Sequence, residues 1–161
     1  MLRMTNVEVY YGSVRALDSV TLHVDEGELV TLIGSNGAGK STVLKTVSGL
    51  TSPRVGTVEF LNQRIDDMSP TEIVRLGIVH CPEGRRVFPD MTVSENLDMG
   101  AYTRSDTGDI ATDRDRLFER FPILQGRQHQ RAGDLSGGQQ QMLAIARAVL
   151  CLLYTSPSPR D

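Results

Sequence analysis

The residues whose types and spacing could do chemistry begin with Gly34-Ser35-Asn36-Gly37-Ala38-Gly39-Lys40-Ser41, which fits GxxxxGK[ST]. A phosphate chain needs several N–H donors aimed inward, and glycines let the backbone approach and adopt positive φ. A helix opening directly behind the loop points its N-terminus at the anion. Lys40 supplies a positive charge for the β- and γ-phosphates, and Ser41 a hydroxyl for Mg²⁺. Thr42 completes the stretch expected to face the nucleotide. A plain glycine turn between strand and helix would need none of these side chains.

A second candidate is Leu135-Ser136-Gly137-Gly138-Gln139. Ser136 is a good N-cap, and two glycines leave backbone N–H groups open at a helix start. Met142, Ile145, Ala146 and Val149 are the expected apolar stripe of the helix behind it. Taken alone, the stretch is a second anion site or simply a capped helix.

These loops need elements to hold them. Residues 29–33, LVTLI, are a continuous apolar run of strand length, as in a strand buried on both faces. Before it, VEVYYG and SVTLHV alternate as strands; after the glycine loop a helical pattern runs until Gly49 and Pro53 close it. GTVEFLNQ reads as another strand and GIVHC as a short buried one. Ser69, Pro70 and Glu72 make a strong helix start, and Thr92 with Glu95 repeat the capping-box spacing. TDRDRLFERFPIL is an amphipathic helix ended by Pro122. The expected organisation is α/β: a strand-rich part over 1–82, a mostly helical part over 83–150, and a tail over 151–161.

Composition sets the broad class. A chain of 161 residues with 39% apolar and 23% charged residues is an ordinary globular domain. Its net charge of -3 gives no reason to expect nucleic acid, and no basic run suggests a membrane surface. No segment has the length of a membrane span. Polar and charged residues follow Met1 closely, unlike a secretory signal. Cys81 and Cys151 form no metal spacing, and two thiols without a signal fit a reducing cytoplasm.

Together the two glycine loops resemble those of the ABC-type ATPases, and the resemblance covers residues 1–150. It implies a P-loop NTPase fold, ATP with Mg²⁺ as cofactors, and a head-to-tail dimer with a second ATPase subunit, identical or not. The P-loop of one copy and the signature loop of the other, Ser136 through Gln139, would close on one ATP. Ser136 and the Gly137 and Gly138 amides would contact the γ-phosphate, and two helix N-termini can indeed flank one polyanion. Tyr11 matches the aromatic that stacks on adenine, with Tyr10 as the alternative and a core-packed strand end as the plainer reading. Most of the family has Gln where this chain has Glu83, contacting Mg²⁺ and the attacking water. The stretch from Pro82 to Phe88 closely resembles the second ATPase subunit of branched-chain amino-acid importers, where Glu is usual. That likeness implies membrane-spanning permease subunits as partners, met by residues 85–88, and a place on the inner face of the plasma membrane. A related urea or amide importer is the alternative. The interval between Lys40 and Leu135 leaves no room for the inserted coiled coils of repair and chromosome ATPases. A regulatory ABC protein would need a second LSGGQ half, and a binding module without hydrolysis is the remaining reading.

In the family an apolar strand ending in Asp-Glu follows the signature helix. Here that place holds CLLYTSPSPRD, whose prolines remove ladder donors. Asp161 falls near the acid pair without a strand to present it, and His23, His80 and His129 match no switch motif. The expectation is a non-native tail from about residue 151 on a truncated cassette. Residues 29–33 would then keep an unpaired edge and exposed apolar faces.

Overall fold

The structure, a computed structural model, describes residues 1–84, 86–102, 104 and 107–152. The chain forms two compact units, Met1–Ile78 and Val79–Asp161.

The first unit is built on a four-stranded antiparallel sheet in the order β2-β1-β3-β4. β1 (Leu2–Tyr11) and β2 (Val14–Val24) form a hairpin around Gly12, which supplies the positive φ of 63° that a two-residue turn requires. β3 (Val55–Phe60) and β4 (Gln63–Arg64) form a second hairpin. GTVEFLNQ is therefore not one strand. Leu61 and Asn62 both take positive φ, 51° and 63°, and turn the chain back. On the core side, Met4, Val7, Val9, Leu17, Val58 and Phe60 meet Val43 of α1 (Lys40–Val47) and Ile73 of α2 (Pro70–Arg75). Burying such side chains contributes about 1.5–3 kcal/mol each. The capping box at Ser69 is present: the Glu72 carboxylate accepts from the Ser69 amide at 2.8 Å and hydroxyl at 2.6 Å. Those bonds, the hydroxyl's first, hold the Glu72 carboxyl below its ordinary pKa.

Two predicted strands are absent. Residues 29–33 have no ladder partner and carry no strand; Leu29 is 93% exposed and Ile33 92%. An apolar run becomes a doubly buried strand only where other strands pair both its edges and helices cover both faces. No described residue does so here, so the run stays irregular rather than forming a strand edge. The GIVHC segment is likewise irregular and half-buried.

The second unit is helical, with α3 (Val93–Gly100), α4 (Thr107–Arg120), α5 (Pro122–Gln125), a 3-10 turn (Ala132–Asp134) and α6 (Gly137–Leu152). Pro122 starts α5 directly after α4 stops, as its missing N–H favours. The Thr92–Glu95 capping box is formed, with the Glu95 carboxylate accepting from the Thr92 amide at 2.7 Å and hydroxyl at 2.8 Å. The core joins Val93, Leu97, Leu117, Leu124, Leu143 and Leu150.

The stripe of α6 differs from expectation. Leu143, Ala144, Ala146 and Leu150 are buried, while Met142 is 41% and Ile145 39% exposed. Residues 142–150 are apolar nearly all round, so helical spacing fits two faces one residue, or about 100°, apart. Packing against α3 selects one of them, and only Ala146 of the predicted stripe is fully buried. Cys151 and Leu152 continue α6, whereas Arg85 and residues 153–161 of the predicted tail lie outside the described residues.

Candidate functional site

The glycine loop leaves the end of the 29–33 run, exposed through Ala38, and enters α1 at Gly39. Gly37 and Gly39 take φ of 87° and 89°. The Ala38 amide donates to the Ser35 carbonyl at 3.2 Å and tightens the turn. The Lys40 ammonium folds back over the loop, donating to the Gly34 and Ser35 carbonyls at 2.8 Å each. α1 has no side-chain cap and no acidic residue in its first turn. No carboxylate of the helix itself would therefore compete with an anion at its N-terminus. Ser41 is exposed in that first turn, and Thr42 is buried behind it.

Gly39 is required sterically. A Cβ there would meet Leu17 Cδ2 at 2.7 Å and the Ala16 carbonyl oxygen at 3.0 Å, at a φ that disfavours any side chain. Gly39→Ala is expected to destabilise the protein by about 2 kcal/mol or more. Urea unfolding of both forms measures it; an unchanged midpoint would show that the loop tolerates a side chain.

Tyr11 ends β1 with 47% of its surface exposed. Hydrogen bonds with the Thr51 and then the Thr42 side chain lower its hydroxyl pKa, so the ring stands beside the P-loop residue Thr42. Tyr10 is engaged otherwise. Its hydroxyl donates to Glu8 Oε2 at 2.9 Å, and the Arg54 guanidinium lies 4.4 Å over its ring. The Tyr10 ring and hydroxyl are thus both occupied, whereas 47% of Tyr11 is exposed. Tyr11→Ala should weaken ATP by about 1–2 kcal/mol and Tyr11→Phe hardly at all, since stacking needs a ring rather than a hydroxyl. Nucleotide titration decides; a larger loss on Tyr10→Ala would transfer the role to Tyr10.

In the second unit Ser136 caps α6. Its hydroxyl accepts from the Gln139 amide at 3.4 Å, and its own amide donates to Gln139 Oε1 at 3.0 Å. This is a capping box with Gln in the acid's place. Ser136 and Gly138 are exposed, and no acidic residue occupies the first turn. Glu83 is exposed in the loop that precedes Arg86. The P-loop, Thr42 and Tyr11 thus gather in the first unit, and Glu83 with the signature loop in the second.

Sequence reasoning missed what supports the second group. Asn96 is fully buried; its Oδ1 accepts from the Phe88 amide at 2.9 Å, and its Nδ2 donates to the Phe88 and Thr92 carbonyls at 3.0 and 2.9 Å. An amide on the apolar face shared with Val93 and Leu97 was the available signal. Arg104 and Asp113 form a buried ion pair at 2.7 Å, and Arg104 also donates to the Leu150 carbonyl at 3.0 Å. No sequence pattern marked that pair.

Known proteins extend these observations. Residues 17–152 match the family described as ABC transporter. The chain is 44% identical to the high-affinity branched-chain amino acid transport ATP-binding protein BraG of Pseudomonas aeruginosa, over 98% of the chain and 69% of that protein. It is 35% identical to the "Probable branched-chain amino acid transport ATP-binding protein LivF" of Archaeoglobus fulgidus, over 93% of the chain and 63% of that protein. The crystal structure of a nucleotide-free ATP-binding cassette from an ABC transporter superposes with a TM-score of 0.81 at 31% identity, covering 94% of the chain and 65% of that structure. With the glycine-capped P-loop helix and the serine-capped signature helix in one chain, this likeness has one meaning: the chain belongs to the ABC transporter family, and its fold is that of an ATP-binding cassette.

Proposed function

We propose that this chain is part of the ATP-hydrolysing subunit of a membrane importer, with branched-chain amino acids as cargo. The observation that carries the nucleotide reading is α1, a helix opened by a left-handed glycine, without side-chain cap or carboxylate in its first turn, whose first residue, Lys40, holds its ammonium back over the preceding loop. Residues 34–42 bind the phosphates, and Tyr11 covers the adenine. Lys40 exchanges its two carbonyl acceptors for phosphate oxygens. Ser41 and Glu83 are hard oxygen donors of the kind that would suit Mg²⁺. Bound Mg²⁺ would neutralise charge on the phosphates during transfer. Ser136 and the Gly137 and Gly138 amides complete the site from a second cassette.

The importer reading rests on the likeness to BraG and on the 82–88 stretch, where Glu83 stands in place of Gln. The same loop, residues 85–88, meets the permease at the inner face of the membrane. Among the described residues no helix is long and apolar enough to cross a membrane. The test is to reconstitute the gene product in vesicles with the permease subunits encoded beside it. ATP-dependent uptake of labelled leucine, isoleucine or valine is expected. Uptake of urea or short amides in their place would assign the alternative cargo, and hydrolysis without any permease association would overturn the transport reading.

A further inference from the structure

Within the second unit, Arg147 sits near the middle of α6 with its side chain turned onto the loop that follows Glu83. Its guanidinium lies 5.0 Å from the centroid of the Phe88 ring, and Nη2 donates to the Arg86 carbonyl at 2.6 Å. Nη1 is buried and makes no hydrogen bond among the described residues. At the same level α6 touches α3 so closely that a Cβ on Gly100 would lie 2.5 Å from the Arg147 carbonyl oxygen and 2.9 Å from its Cγ. The Phe88 backbone is also held by Asn96 of α3. Residues 86–88 are therefore held between two helices, by Arg147 on one and Asn96 on the other.

This arrangement is expensive for a purely structural contact. A buried guanidinium nitrogen without a partner loses its hydration and gains nothing back. Burial accordingly pushes the Arg147 guanidinium below the ordinary arginine pKa. A leucine or methionine would fill the same space more cheaply, and places where a chain breaks such local rules are where function is concentrated. What Arg147 adds is directional grip. A planar fork can stack on a ring while donating to a carbonyl, so the loop cannot slide along the helix without breaking both contacts.

We propose that Arg147 is a positioning residue that ties residues 86–88 to the signature helix, so that a displacement of this loop is delivered to Ser136. α6 runs from Arg147 to the signature loop as roughly three turns of uninterrupted helix, about 16 Å, and such an element moves as a rod. The inference deepens the transport reading and rests on it, because the displacement comes from the permease that the 85–88 loop meets.

The test uses the assembled importer and three readouts: the KM for ATP, turnover of the ATPase without its permease, and turnover with permease and loaded substrate. Arg147→Met keeps the length of the stem and removes the fork; Arg147→Lys keeps the charge and cannot stack and donate in the same way. In Arg147→Met, the permease-stimulated turnover is expected to fall about tenfold, within the usual range of coupling between sites. KM and unstimulated turnover should stay within about twofold, and Arg147→Lys should lie between Arg147→Met and wild type. If Arg147→Met fails to fold by thermal melting, Arg147→Lys alone decides. Full stimulation in the variants beside a stimulated wild type would overturn this inference and leave the transport reading standing. Equal losses in stimulated and unstimulated turnover would reduce the contact to packing. A wild type that no permease stimulates would remove the transport reading itself.

Discussion

Lys40→Ala abolishes most of the affinity for ATP: that is the expected result with the largest effect on binding. The Lys40 ammonium already donates to two carbonyls at 2.8 Å across the loop, so its position over the glycine loop is set without nucleotide. Charge-assisted hydrogen bonds of this kind contribute about 1.5–3 kcal/mol each. Exchanging two neutral acceptors for phosphate oxygens should return about 2–4 kcal/mol net, or roughly thirty- to a thousandfold in affinity. The alanine variant also loses the two bonds that brace Gly34 and Ser35. Both are exposed loop residues, so the fold should survive and the melting temperature should change little. Titration with a fluorescent ATP analogue, on protein whose melt has been checked, measures the loss. Equal affinities for wild type and variant would refute the P-loop assignment, and with it the whole nucleotide reading.

The glycine-loop motif around Lys40 is legible for a physical reason that other parts of the chain lack. The P-loop and the capping boxes at Ser69 and Thr92 are local. Ser69 with Glu72, and Thr92 with Glu95, form their bonds within one helical turn, so four consecutive residues contain all the information. The β1–β2 hairpin is nearly as local, being set by Gly12 and the alternation on either side. The misses depend on partners distant in sequence. Residues 29–33 have the composition of a central strand, but composition provides no neighbour for the ladder, and none of the described residues supplies one. α6 is apolar on more than one side, so only its contact with α3 decides that Leu143 and Leu150 face inward and Met142 does not. Arg104 and Asp113 are charged residues in a polar-looking stretch, and nothing nearby foretells that they meet in the interior. Of the candidate site, the two glycine loops were legible as motifs, whereas Asn96 and Arg147, which shape the loop after Glu83, were not. Residues that contact a common ligand are constrained to a recognisable motif; residues that hold a loop need only be the right length in the right place.

Ser136→Arg carries the other large expectation, and it concerns geometry between copies. Ser136 is exposed at the N-terminus of α6, with only the Gln139 amide on its hydroxyl, so the substitution removes a cap worth about 1 kcal/mol and leaves the core untouched. It also places a long cation where a short hydroxyl should approach phosphate across a dimer interface. The ATP affinity of the monomer is therefore expected to remain within about twofold of wild type, while dimer closure and hydrolysis fall by roughly a hundredfold or more. Nucleotide titration reads the affinity, gel filtration with ATP under non-hydrolysing conditions the closure, and phosphate release the hydrolysis. A mixture sharpens the assignment. In a dimer of one Ser136→Arg copy and one Lys40→Ala copy, one composite site carries both defects and the other carries neither. Random pairing of the two inactive variants in equal amounts should then restore about a quarter of wild-type turnover, because half the dimers are mixed and each mixed dimer has one working site. No recovery on mixing, together with a loss of ATP affinity in the Ser136→Arg monomer, would place the signature loop on the nucleotide of its own chain and overturn the head-to-tail arrangement.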